Sequence, residues 1–159
     1  MMAETGSGEF DALLSAAREI ALRAYAPYSH FAVGAAALAD DGRVVTGCNV
    51  ENAGYGVTLC AECGLISGLI AGGGGRLRRF VCVGGPDDGS VADGETGVDG
   101  QRRSDAVPER PVVMPCGRCR QLLSEHAAPD LTILTPEGPR TITQILPQAF
   151  GPSALPPSL

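Results

Sequence analysis

The chain has 159 residues, with 12 Lys plus Arg against 18 Asp plus Glu, a net charge of −6 and a pI near 4.8. That length suits one domain around one hydrophobic core, and the 44% apolar fraction fits a globular chain rather than a disordered one. The acidic balance, with aromatics at 4% and no Trp, argues against a nucleic-acid or anionic-membrane partner.

No apolar run approaches the ~20 residues of a membrane helix. Met1 to Ala12 show no basic stretch followed by an apolar one, so a cytoplasmic protein without an export signal is expected. Residues 8–26 place Phe10, Leu13, Leu14, Ala17, Ile20, Ala21 and Ala24 on one helical face, ending before Pro27. Phe31–Ala39 and Arg43–Val50 flank Asp40-Asp41-Gly42 and predict a β-hairpin. A loop over 51–57 follows. Thr58–Ala71 predicts a buried helix that stops at Gly72–Gly75. Leu77–Val83 predicts a strand. Residues 86–111 hold seven acidic residues, four Gly and no Leu, Ile, Phe or Tyr, which predicts a mobile insertion loop. Val112–Met114 reads as a short strand, Pro115–Ala128 as a helix burying Leu122 and Leu123, and Leu131–Leu134 as a strand. Thr141–Phe150 reads as a short helix, and 151–159 as a frayed Pro-rich tail. The sum is one α/β domain over 8–150, a mixed sheet with helices on both faces.

Six cysteines without an export signal argue against a disulfide frame. Cys48 and Cys82 lie alone in apolar stretches and read as small buried hydrophobes. The other four form Cys60-Ala-Glu-Cys63 and Cys116-Gly-Arg-Cys119, and two CxxC pairs suggest zinc. A compact four-cysteine module usually separates its pairs by ~15–20 residues; here 52 residues intervene. A structural four-cysteine zinc module therefore stays open as a non-catalytic alternative without specific support. A three-ligand set fits better: Cys60, Cys116 and Cys119, each at a predicted helix start where N–H groups and the dipole favour thiolates. Three ligands leave zinc a place for water. Glu62, two residues past Cys60, is near enough to take that water's proton, although a Glu in a first helical turn is ordinarily a helix-start residue. The Cys-x-Glu followed by Pro-Cys-x-x-Cys is the pattern of zinc deaminases.

The sequence resembles cytidine deaminases of the small, homotetrameric, three-cysteine type within the cytidine/deoxycytidylate deaminase family. The match runs through Tyr25–Ala35, Gly47-Cys-Asn-Val-Glu-Asn52, Tyr55-Gly56, Thr58-Leu-Cys-Ala-Glu62, Pro115–Leu123 and Leu146-Pro-Gln-Ala-Phe150. It implies a three-layer α/β/α fold with a five-stranded mixed sheet, and one Zn²⁺ per subunit on Cys60, Cys116 and Cys119. Glu62 would be the catalytic proton shuttle. Asn49 and Glu51 would hold the ribose hydroxyls, Phe31 would flank the pyrimidine, and the backbone around Ala61 would contact the base. Phe150 and Tyr55 would reach a neighbouring subunit's pocket. The implied reaction is hydrolytic deamination of cytidine and 2′-deoxycytidine in pyrimidine salvage, with a deaminase of cytosine-bearing nucleoside antibiotics as the alternative.

Two departures stand out. Many members carry Arg after Cys-Ala-Glu; here that residue is Cys63, expected to be a supporting thiol rather than a ligand. Arg118, Arg120 or the helix N-termini are then the candidates to offset the thiolate charge. The 86–111 segment is also longer than the family's usual connection.

Overall fold

The computed structural model describes residues 7–87 and 107–156; most of the predicted insertion loop, 88–106, lies outside the described residues. Helix α1 spans Ser7–Ala21, followed by the hairpin β1 (Phe31–Ala39) and β2 (Val44–Cys48). Helix α2 covers Ala61–Ala71, strand β3 Leu77–Pro86, helix α3 Gly117–Glu125 and strand β4 Ala127–Thr135. Strand β5 (Gly138–Thr141) runs straight into the single turn α4 (Ile142–Ile145). No helix among the described residues is long and apolar enough to cross a membrane.

The five strands form one mixed sheet in the order β2-β1-β3-β4-β5. All neighbours are antiparallel except β3 and β4, which are parallel, with α3 in the crossover between them. Helix α1 covers one face, where Phe10, Leu13 and Ala17 meet Ala36, Val81 and Val83. Helices α2 and α3 cover the other, where Leu65, Leu69 and Leu123 meet Ala35, Ala37, Phe80 and Ile133. The predicted three-layer α/β class therefore holds.

Strand β1 explains how the layers sit so close. It is built of Ala and Gly, residues with weak strand preference, yet Ala35, Ala36 and Ala37 are wholly buried between helices on both sides. Small side chains let helix backbones approach the sheet. At Gly34 a Cβ would overlap the Ala17 carbonyl of α1. At Gly47, in β2, it would overlap the Ala61 carbonyl and lie 2.5 Å from the Leu65 amide of α2. Helix α2 ends as expected: Gly73 and Gly74 take φ of +114° and +81°, and Gly74 N–H returns to the Leu69 carbonyl at 2.9 Å. Arg43 then caps the end, donating to the Gly72 and Gly74 carbonyls at 2.9 and 2.6 Å.

Several expectations are corrected. Helix α1 stops at Ala21 rather than 26; Ala24 and Ala26 are buried, but outside the helix. Val112–Met114 is not a strand. Its Val112 makes one isolated bridge to Val83, because β4 pairs with β3 only as far as Val81 and leaves a short open edge. The fifth strand is instead Gly138–Thr141. Helix α2 starts three residues later than predicted, α3 is shorter at both ends, and β4 starts earlier, at Ala127. The helix expected over 141–150 is the single turn of α4, closed by a capping box between Thr141 and Gln144. Cys82 is buried as expected, but Cys48 is only half-buried, with its thiol donating to the Arg23 carbonyl at 3.6 Å.

Candidate metal and nucleoside site

Two helix starts converge on one point at the sheet. Cys60 is the N-cap of α2 and Cys116 the N-cap of α3, and neither side chain closes a capping hydrogen bond. Ser, Thr, Asn and Asp usually fill that position because their oxygens satisfy free N–H groups; a thiol there is free for another partner. Cys119 lies in the first turn of α3. The three sulfurs are all within 4.8 Å of one another, and Cys63 is not one of them. Cys119 is buried, Cys60 half-buried and Cys116 exposed. Three soft, deprotonatable donors gathered at two positive helix ends are a donor set that suits zinc.

The environment divides the thiols. Burial would raise Cys116, but the N–H groups of Cys119 and Arg118 and the neighbouring thiols outweigh it and pull it below the ordinary thiol value. Burial pushes Cys60 up, and the nearby Cys116 and Glu62 charges add to that. Burial pushes Cys119 far up, with Glu62 charge repulsion next. A thiolate is thus easiest at the open end of the cluster, and a divalent ion would be needed to ionise the other two.

Glu62 follows Cys60 by two residues in the first turn of α2. It is 4% exposed, and no donor among the described residues bonds its carboxylate. A helix-start carboxylate on the surface would be solvated; this one is buried beside the thiols. Gly47 sets its depth. Because α2 touches β2 backbone to backbone there, Cys60, Ala61 and Glu62 are held at the sheet surface rather than a side-chain's width above it. The sequence signal for Gly47 was a glycine inside a strand, which marks close approach.

The end of β2 reaches the same site. Val50 and Leu59 exchange hydrogen bonds, both 2.9 Å, tying the segment that carries Asn49 and Glu51 to the residue before Cys60. Asn49 is buried; its Oδ1 accepts from Val33 N–H at 2.8 Å and its Nδ2 donates to the Phe31 carbonyl at 3.0 Å. An amide has two donors and two lone pairs, so one of each remains. Glu51 Oε2 accepts from the Tyr28 and Ser29 N–H groups at 2.9 and 3.2 Å. Burial acts to raise its carboxyl, but bonds from the Ser29 hydroxyl and these N–H groups together hold it below the usual range. Phe31 is no core residue: it is 41% exposed. Its ring lies over Gly84, where a Cβ would come 2.7 Å from Cε1. Ala61 is fully buried. Tyr55 is 79% and Phe150 62% exposed. Tyr55 stands edge-on to Tyr28, ring centres 6.4 Å apart, and Gln121 fixes the Phe150 carbonyl at 2.7 Å. The structure therefore gathers the three cysteines, buries Glu62 two residues past Cys60, ties the segment that carries Asn49 and Glu51 to the residue before Cys60, and leaves Tyr55 and Phe150 exposed.

A three-thiol cluster on two helix starts could hold a metal ion, and a buried carboxylate lies two residues from one of the thiols. Comparison with known proteins agrees. Residues 9–135 match the model of the cytidine and deoxycytidylate deaminase zinc-binding region. A cytidine deaminase of Mycobacterium tuberculosis is 49% identical over 148 residues, 93% of this chain and 94% of that protein. The crystal structure of cytidine deaminase from M. tuberculosis superposes with a TM-score of 0.71 at 48% identity, covering 90% of this chain and 98% of that one. That of cytidine deaminase from Mycobacterium leprae gives 0.69 at 47%, covering 87% and 98%. The chain belongs to the cytidine and deoxycytidylate deaminase family.

Proposed function

We propose that this protein is a zinc-dependent cytidine deaminase, converting cytidine and 2′-deoxycytidine with water to uridine and 2′-deoxyuridine plus ammonia. The observation that carries the reading is the buried Glu62, with no donor bonded to it among the described residues, two residues past Cys60 and so beside one of three cysteines whose sulfurs lie within 4.8 Å of one another. Cys60, Cys116 and Cys119 would hold the zinc, whose chemistry is Lewis-acid activation of water for attack at C4 of the pyrimidine. Glu62 takes a proton from the attacking water and delivers it to ring N3. It then carries a proton to the amine leaving C4. With no fixed donor on it among the described residues, the carboxylate is open to the water and to the substrate, as a proton shuttle requires. Asn49, through its spare donor and acceptor, and Glu51 orient the ribose; Phe31 packs on the base, and the Ala61 backbone meets its edge.

The cysteine that stands outside the trio, Cys63, speaks against the four-cysteine structural module. Residues 8–150 would act as one catalytic domain. The large exposed apolar side chains Tyr55 and Phe150 support self-association to a homotetramer, in which they would enter neighbouring pockets. Nucleoside salvage in the cytoplasm is the corresponding role.

The test follows the ultraviolet absorbance of cytidine during incubation with the protein, with and without a chelator. Turnover lost on chelation and restored by zinc is expected. Glu62→Gln is expected to keep fold and metal while turnover falls by about 10²–10⁴-fold, the scale of acid–base catalysis. No turnover by the zinc-loaded protein, or full activity in the Glu62→Gln variant, would refute the reading.

A further inference from the structure

Three thiolates around a divalent ion leave the centre at −1, and their mutual repulsion disfavours the fully ionised state that binds metal. Helix N-termini offset part of this. A full positive charge nearby would offset more. Of the two arginines in the Cys116–Arg120 segment, Arg120 is committed elsewhere: its Nε donates to the Pro115 carbonyl at 2.9 Å and its Nη1 to the Ile145 carbonyl at 3.2 Å. That strut anchors α4 to the start of α3.

Arg118 behaves differently. It sits between two of the three cysteines, and its Nη2 donates to Cys63 Sγ at 2.9 Å. The bond crosses from α3 to α2, the two helices that carry the trio. It pins the guanidinium of Arg118, which neighbours Cys119 in the first turn of α3, to the residue one turn past Cys60 on α2. Left to itself, a long exposed Arg side chain samples many rotamers and its charge is diluted in water. A sulfur acceptor one turn past Cys60 removes that freedom. Cys63 therefore has a task that needs no metal.

We propose that Cys63 is a tether rather than a ligand, holding the Arg118 guanidinium against the three-sulfur centre so that its charge stabilises the metal-binding thiolates. Arg118 is a positioning residue for the metal, not a catalytic one. The inference rests on the zinc reading above and adds to it the source of the balancing charge. A plain surface clip between α2 and α3 would make the same hydrogen bond, but it would act on helix docking and be indifferent to the charge of residue 118.

Zinc competition separates the two. The full-length protein is loaded with Zn²⁺ and titrated with a chromogenic chelator, and the zinc-stripped protein is melted in parallel. Arg118→Gln, which keeps a donor and loses the charge, is expected to lower zinc affinity by about 10–100-fold, the scale for groups that support metal ligands. Arg118→Lys is expected to stay within about threefold of the parent. Cys63→Ala is expected to keep one zinc per chain with affinity between those two. Melting of the stripped forms should be unchanged, since Arg118 is exposed. Parent-like affinity in Arg118→Gln overturns the proposal, as does an equal loss in Arg118→Lys, or loss of bound zinc in Cys63→Ala. If the parent protein itself takes no zinc, the functional reading falls too; if the parent takes it and Arg118→Gln matches, the tether alone falls.

Discussion

Adding one methyl group at Gly47 should disable the site without replacing any residue in it. The Cβ of Gly47→Ala would overlap the Ala61 carbonyl and stand 2.5 Å from the Leu65 amide. Both are backbone atoms of α2 and cannot swing aside. Ordinary contact begins near 3.4 Å, so the start of α2 must move by about 1 Å from the sheet. Cys60 and Glu62 ride on that start, whereas Cys116 and Cys119 ride on α3. The displacement therefore changes the geometry between the two halves of the site. Misplacement of about 1 Å can cost about 10²-fold in rate, and overpacking of this kind costs about 1–3 kcal/mol. Both are measured on one preparation: cytidine turnover at saturating zinc, and thermal or denaturant unfolding. Gly64→Ala is the control, on the same helix and facing the same strand. Its Cβ would meet nothing closer than 3.8 Å, and replacing a mid-helix glycine stabilises by up to about 1 kcal/mol. Parent-like kcat/KM in Gly47→Ala, or equal damage in Gly64→Ala, would refute the argument that backbone contact at Gly47 sets the site.

Other perturbations read other parts of the site. Asn49→Asp keeps the shape but turns the donor to the Phe31 carbonyl, now at 3.0 Å, into a second acceptor; a loss of about 1–3 kcal/mol in unfolding free energy is expected. Glu51 is held below its ordinary value of 4.5, so the stability from its bonds to Tyr28 and Ser29 is full above that value and lost as pH falls through the lowered one. Glu51→Gln should raise the nucleoside KM by about 10-fold or more near neutrality, and should remove any acid-side rise in KM that the parent shows. Metal binding should also track pH. Cys60 and Cys119 are both raised, so they hold protons without metal and release them when it binds. Zinc affinity from chelator competition should rise with pH by at least about two log units per pH unit near neutrality, and a flat profile would contradict protonated thiols in the metal-free site.

What the sequence could reveal depended on whether the information was chemical or geometric. The cysteine trio and Glu62 were legible because the spacing of rare side chains is itself the signal, and helix starts are where thiolates are favoured. The hairpin and α2 were legible through Asp-Gly and the Gly72–Gly75 stop. Strand β5 was not, because Gly-Pro-Arg-Thr has no apolar side chains alternating with polar ones to mark an edge strand, and its Pro139 sits where only one side of the ladder needs pairing. The end of α1 was misjudged for the opposite reason: Ala24 and Ala26 are buried, and apolar spacing reports burial whether or not the backbone is helical. The same limit hid Gly47 and Gly84. Neither carries chemistry, and each matters only through a backbone or ring that arrives from far along the chain. Arg118 falls between these cases. Its position beside two cysteines named it as a candidate, but choosing it over Arg120 required seeing which carbonyls and which sulfur the two guanidinium groups occupy.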